Sequence, residues 1–202
     1  MRVTGLDLPA PSCLASVRAS RATGDHRRAL INAFVSDEDD ATSLASHRGL
    51  DRPSATWLST RDELDAWLVG CPCGEDKGML FGVREQDKYC DPIFYACAAC
   101  NRRALIFDSK LHGYNAEVDR LRKRRRRATK GRDATFAMYC RACKTTAWRP
   151  AVLVTYQGDR DNYEGYEGKL FDPFADFFDV ILIGGACVRC GNIAFGYHNE
   201  CA

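Results

Sequence analysis

The sequence predicts an α+β chain in which two small antiparallel β units are joined by a basic helical arm and preceded by a short helical region. Three observations carry this expectation. Eight of the 11 cysteines fall into four close pairs, Cys71 with Cys73, Cys97 with Cys100, Cys140 with Cys143, and Cys187 with Cys190. The apolar segments around them are short and rich in aromatic or β-branched residues, as strands are. Nine of the 29 basic residues crowd into 120–132, between the second and third pairs.

Taken in order, Met1 to about Arg28 scatters Pro9, Pro11, Ser12, Ser16, Ser20 and Gly24 without a sustained period and reads as extended or partly disordered. Cys13 lies in it as an expected unligated thiol. A short helix is predicted over Arg27 to Val35, followed by a Ser- and Asp-rich loop from Ser36 to Pro53. Thr60 with Glu63 fits a capping box, and Leu64, Trp67 and Leu68 follow at helical spacing, so a helix is predicted over 61–69, ending at Gly70. Strands are predicted at 79–83 (MLFGV), 93–96 (IFYA), 104–107 (ALIF), 151–156 (AVLVTY) and 180–183 (VILI). The expected organisation is a helical, partly flexible region over 1–70, cysteine-bearing β units over 71–114 and 136–202, and the arm over 115–135.

At 202 residues, with 46% hydrophobic and 28% charged residues, most of the chain can bury a core. No run approaches the ~18 consecutive apolar residues of a membrane span, and the first residues lack a compact export-signal core. An intracellular protein is expected, cytoplasmic, or nuclear if the source is eukaryotic. Without an export signal, 11 cysteines read better as metal ligands than as a secreted disulfide framework.

The tight turn of a C-x2-C knuckle lets two thiolates converge on one ion, and two knuckles close a tetrahedral zinc site. Sequential assignment gives Cys71, Cys73, Cys97 and Cys100 for one Zn(2+) and Cys140, Cys143, Cys187 and Cys190 for a second, two per chain. Cys90, His198 and Cys201 are reserve ligands by proximity in sequence. With strands between and after the knuckles, 71–107 and 136–198 resemble the zinc-ribbon fold group, which implies two small antiparallel β zinc ribbons. Two features depart from that pattern: Cys71-x-Cys73 is one residue short, and the gap from Cys143 to Cys187 is long. Ala96-Cys97-Ala98-Ala99-Cys100 and Ala186-Cys187-Val188-Arg189-Cys190 are each followed by an apolar strand with Ala104 and Ala194 in register, which points to an internal duplication.

The run RLRKRRRRATKGR carries Arg120, Arg122, Lys123, Arg124, Arg125, Arg126, Arg127, Lys130 and Arg132 and no acid, leaving 20 basic against 27 acidic residues, net −7, elsewhere. Tyr114, Val118 and Leu121 start a helix with Asn115 as N-cap, but from Arg122 basic residues occupy every face, so these turns face solvent or a polyanion. Such an arm neutralises phosphates with little sequence information, and lacking aromatic residues it offers no base stacking. Residues 157–179 hold seven acids against Arg160 and Lys169, a competitor for the arm, and Asp172 with Pro173 start a short helix carrying Phe174, Phe177 and Phe178. Those phenylalanines, with Phe171, read as core or as a partner site. Asp108, His112 and Asn115 lie in a stretch that resembles nucleases with His and Asn between zinc knuckles, but the paired-histidine motif of those enzymes is absent. The functional expectation is a non-enzymatic adaptor that binds nucleic acid or a nucleoprotein through the arm. The alternative is a protein-interaction module, an inhibitor or accessory subunit, using the acidic loop or the arm. Neither a membrane nor a small-molecule substrate is expected.

Overall fold

A computed structural model describes residues 9–33, 65–85, 88–113, 116, 120, 135–155, 176, 178 and 180–200. After a 3-10 turn at Ser12–Leu14 come β1 (Arg18–Arg21), a helix α1 that takes in residues 24–33, β2 (Asp65–Gly70), β3 (Gly78–Glu85), β4 (Lys88–Cys97), β5 (Arg103–Phe107), β6 (Thr135–Ala137), β7 (Trp148–Thr155), β8 (Val180–Cys187) and β9 (Ile193–Glu200). All nine strands among the described residues belong to one antiparallel sheet. The expectation of an α+β chain built from two separate small zinc ribbons with a helical arm between them is therefore overturned: the described residues are mostly strand, in one continuous sheet. Among the described residues no helix is long and apolar enough to cross a membrane.

The two cysteine-bearing halves are nevertheless copies, as the duplicated sequence pattern implies. A constant shift in residue number carries Cys97, Cys100, Ala104 and Phe107 onto Cys187, Cys190, Ala194 and Tyr197, and the strand pairing follows it. Tyr95 faces Ala104 as Gly185 faces Ala194, and the register slips between Ile93 and Phe94 as it does between Ile183 and Gly184. Likewise Gly78 faces Cys97 as Trp148 faces Cys187.

What joins the halves is a reciprocal exchange of their first strands. β2 leads into the cysteines of the first half but pairs with β7 of the second, Leu68 opposite Ala151 and Trp67 opposite Val152. β6 leads into the cysteines of the second half but pairs with β3 of the first, Ala137 opposite Phe81 and Phe136 opposite Gly82. These are counterpart pairings. β3 and β7 meet antiparallel at Gly78 and Trp148, one residue against its own counterpart, which places an approximate twofold axis between them and makes the chain a pseudo-dimer with swapped strands. A Cβ at Gly78 would collide with the Tyr95 ring and the Ala96 carbonyl, so only glycine fits at position 78.

β2 corrects a second expectation, because 65–69 are strand rather than helix; 59–64, with the capping box, lie outside the described residues. Trp67 and Val69 enter the main core, while Ala66 and Leu68 pack on the second. A strand buried on both faces shows a continuous apolar run with no alternation, and such a run is indistinguishable by periodicity from a short helix. The N-terminal stretch is likewise ordered over 9–28. β1 pairs with β2, and Cys13, Leu14 and Val17 are buried in the core. Ser12 N–H donates to Asp176 at 2.5 Å and Ser16 Oγ to the Leu105 carbonyl at 2.9 Å. Partners this distant in sequence leave no local signal. The predicted helix at 27–35 is helical through 33, where description stops.

One core serves both halves. Leu80, Ile93, Tyr95, Ile106 and Phe107 of the first cluster with Val152, Val154, Ile181, Ile183 and Tyr197 of the second. Phe107 and Tyr197 are counterparts and meet with ring centroids 5.7 Å apart, beside Phe178 at 6.1 Å from Phe107. A second cluster lies where Leu30 and Ile31 of α1 pack on Ala66, Ala151, Leu153, Val180 and Leu182.

A shared core makes unfolding a single event. Phe107→Ala should cost about 3–5 kcal/mol and shift one cooperative denaturant transition seen alike by tryptophan fluorescence and circular dichroism. Two transitions, one of them untouched by the substitution, would contradict the shared core.

Candidate metal centres

Each cysteine pair sits in a turn of one design. The Cys97 N–H donates to the Arg102 carbonyl and Asn101 N–H returns to the Cys97 carbonyl; Cys140 does the same with Thr145 and Lys144, and Cys187 with Asn192 and Gly191. The returning residue has positive φ each time, 58° at Asn101, 60° at Lys144 and 73° at Gly191. That left-handed residue reverses the chain under the sulfurs. In the short Cys71-x-Cys73 pair the scheme closes one residue earlier, through Glu75 and Gly74, with φ 104° at Gly74. The missing residue is removed from the turn and the sulfur geometry survives.

Two further bonds lock knuckle to knuckle within each half. Ala98 N–H donates to the Lys77 carbonyl, and its counterpart Val188 N–H donates to the Ala147 carbonyl. As a result Cys71, Cys73, Cys97 and Cys100 form one group and Cys140, Cys143, Cys187 and Cys190 another, with all sulfurs of a group within 4.8 Å of one another. These are the sets assigned from sequence. Equivalent diagonal contacts recur: Cys71 to Cys100 is 3.5 Å and Cys73 to Cys97 3.6 Å, against 3.7 Å for Cys140 to Cys190 and 3.5 Å for Cys143 to Cys187.

These distances test the fit to a metal. A disulfide needs about 2.05 Å, whereas a tetrahedral ion with metal–sulfur bonds of about 2.3 Å spaces its sulfurs by about 3.8 Å. The electrostatics agree. Amide N–H groups of Cys100 and then Ala99, against burial, hold the Cys97 thiol at about 6. The Cys73 amide pulls Cys71 down, but burial and the sulfurs of Cys73, Cys100 and Cys97 push it up to about 12. In the second group burial raises Cys187, yet the Cys190 and Arg189 amides, helped by neighbouring sulfurs, bring it to about 7. Cys190 goes up to about 12, because the pull of the Asn192 amide is outweighed by the Cys187 sulfur and by burial. Ionising one thiol of a tetrad thus opposes ionising its neighbours, a repulsion that a bound cation would relieve, and each tetrad can hold one.

The remaining candidate residues fall elsewhere. Cys90 stands in β4 opposite Val83 and His198 in β9 opposite Leu182, and neither joins a tetrad; Cys201 lies outside the described residues. Buried Asp108 accepts the Lys110 N–H at 2.9 Å, while its own N–H donates to His112 Nδ1 at 3.0 Å. The His112 ring lies 5.8 Å from that of Phe107, and burial holds its pKa below the usual imidazole value. The pair closes the turn after β5; Asn115 lies outside the described residues. Of the arm, Ala116 and Arg120 are helical and Arg120 is exposed, whereas 121–132, with the other eight basic residues, lie outside the described residues. So do Phe171, Asp172, Pro173, Phe174 and Phe177, but Phe178 is core and Asp176 is buried on Ser12. The left-handed Asn101 and Lys144 were missed from sequence, although their common position just after a C-x2-C pair was the available signal.

The chain matches no protein-family model, no curated protein and no solved structure.

Elemental analysis of protein purified without chelator should return two metal ions per chain. Cys187→Ser with Cys190→Ser should retain only one and fall steeply in melting temperature, because a structural ion contributes on the order of 10 kcal/mol to folding. Retention of both ions and of the melting temperature would show that the second tetrad is not a metal site.

Proposed function

We propose that the chain is a non-enzymatic, zinc-stabilised adaptor that binds nucleic acid or a nucleoprotein through the basic residues of 120–132. The two tetrads support the metal half of this reading. All-thiolate sets of four favour a soft tetrahedral ion over calcium or magnesium, which take oxygen ligands, and four protein ligands fill the tetrahedron, as in structural zinc sites. In this role Zn(2+) supplies charge neutralisation and a cross-link between knuckles, and the amides of Ala99, Cys100, Arg189 and Cys190 orient its thiolates.

The binding half is carried by one observation, nine basic residues in 13 positions without an acid, in a chain otherwise net negative. The run leaves one half after β5 and enters the other at β6, so both its ends are tied to the same sheet. Phosphate contacts by such a run give affinity with little base information. A second reading, a protein-interaction module, is favoured by Phe136, which is 48% exposed on β6.

A titration against duplex DNA over a range of salt separates them. Changing Arg124, Arg125, Arg126 and Arg127 to alanine should weaken binding to all sequences alike and flatten log K against log salt by roughly 0.9 for each lost contact, up to about 3.6. Unchanged affinity and slope would sink the nucleic-acid reading, and loss of a co-purifying protein in that variant would promote the second.

A further inference from the structure

The pseudo-twofold relation makes each half a control for the other, and the halves differ most on the outer face of the sheet. In the second half this face is the floor under α1: Ala151 on β7, Gly184 on β8, and Ile193 and Phe195 on β9, with Leu30 and Ile31 above. The counterparts of those four sheet residues are Phe81, Phe94, Arg103 and Leu105. Ala151, Gly184 and Ile193 under the helix correspond to two aromatic rings and an arginine, while Phe195 corresponds to Leu105.

The arrangement of these residues is specific. Ala137, Phe81, Phe94 and Leu105 are register partners in a row across β6, β3, β4 and β5, hence on one face. Arg103 lies back over this row, its guanidinium carbon 4.3 Å from the Phe94 ring centre and 5.2 Å from that of Phe81, and its Nη2 donates to Thr135 Oγ1 at 2.8 Å. Its side chain therefore spans from β5 to β6 and stays exposed. A helix seated here as α1 is seated on the other half would bury that charge without a counter-ion, at a cost of several kcal/mol. At the end of β6, Lys144 Nζ stands 5.3 Å from the ring of exposed Tyr139.

We propose that this face, centred on Arg103 over Phe81 and Phe94, is a stacking platform for single-stranded nucleic acid. A guanidinium held on aromatic rings presents its second face as a flat, cationic surface on which an unpaired base stacks, and a base inside a duplex cannot reach it. In sequence, the basic run ends close to it. Arg132, the last residue of the basic run, is three positions from Thr135, the hydrogen-bond partner of Arg103. The run has cations and no rings, whereas the platform has rings and a fixed cation and supplies the base contact that the run lacks. The inference rests on the reading of the chain as a nucleic-acid-binding protein and specifies the strandedness of its ligand.

The test uses the full-length, metal-loaded protein and fluorescein-labelled RNA and DNA single strands of about 12 nucleotides with one sequence, plus the matching duplex, followed by anisotropy. Arg103→Lys keeps the charge and removes the plane. It should weaken single strands about tenfold while leaving duplex affinity, the salt slope and the metal content unchanged. Phe94→Leu should reproduce the effect, and whichever of RNA or DNA loses more is the polymer the platform reads. Equal weakening of duplex and single strands in Arg103→Lys would reduce Arg103 to a phosphate contact and overturn the proposal. Wild-type affinity of both variants for single strands, with binding still lost in the Arg124–Arg127 alanine variant, would overturn the platform and leave the arm reading standing. No binding of any probe by the wild-type protein would remove both.

Discussion

Four cysteine sulfurs held 3.5–3.7 Å apart along their closest diagonals are the constraint on which the rest of this structure depends. Ionised, they repel one another. A cation bound among the four sulfurs would relieve that repulsion, and its position decides what it joins. Cys71 follows β2 directly and Cys97 ends β4, so the first tetrad ties the exchanged strand to the hairpin of its own half. The second tetrad does the same for β6 and β8. An exchanged strand is hydrogen-bonded to one half and shares a cysteine tetrad with the other, so an ion in each tetrad would hold the halves together as well as close the knuckles.

Exchange about a twofold axis leaves two equivalent edges and two equivalent outer faces, and the chain treats them differently. β1 covers the outer edge of β2, where Arg21 pairs with buried Asp65 and lies 4.5 Å over the Trp67 ring. Burial pushes the Asp65 carboxyl up to about 6 against the pull of Arg21, so this corner is held by an ion pair as well as by apolar contact. The counterpart of Trp67 is Phe136, exposed on β6. The covered edge and the helix-covered face belong to the side formed by β2 and β7. The exposed aromatic residues and Arg103 belong to the side formed by β6 and β3.

The metal sites were legible because their chemistry is local: a C-x2-C turn carries both its ligands and its left-handed residue within a few positions. The strands at 79–83, 93–96, 104–107, 151–155 and 180–183 were legible for a similar reason, being short β-branched or aromatic runs bounded by turns. What failed was non-local. Nothing in DAWLVG says that β7 lies beside it, and a strand buried on both faces loses the alternation that would distinguish it from a helix. Cys13 and Leu14 looked like part of a polar tail because their partners lie far along the chain. The duplication was visible in the alanines around the knuckles, but a repeated sequence does not reveal whether the copies stand apart or trade strands. Alternation within β3 and β4 likewise separates two faces without saying which one a helix will cover.

The division of contacts follows from these differences. On the proposed reading the basic run supplies affinity without discrimination, because phosphates are the same on every strand, and the acidic residues of 157–179 compete for it within the same molecule. Competition of that kind lowers affinity for any polyanion equally. It cannot distinguish a duplex from a single strand, and neither can more arginine. Discrimination requires a surface that only an unpaired base can reach, held rigidly enough that stacking is not offset by the entropy of ordering the side chain. Arg103 meets that requirement because two rings and the Thr135 hydroxyl already fix its guanidinium. Those rings stand on β3 and β4, whose ends the first tetrad ties together. On that reading the cysteine tetrads would act at a distance from the ligand, by fixing the strands on which the platform is built.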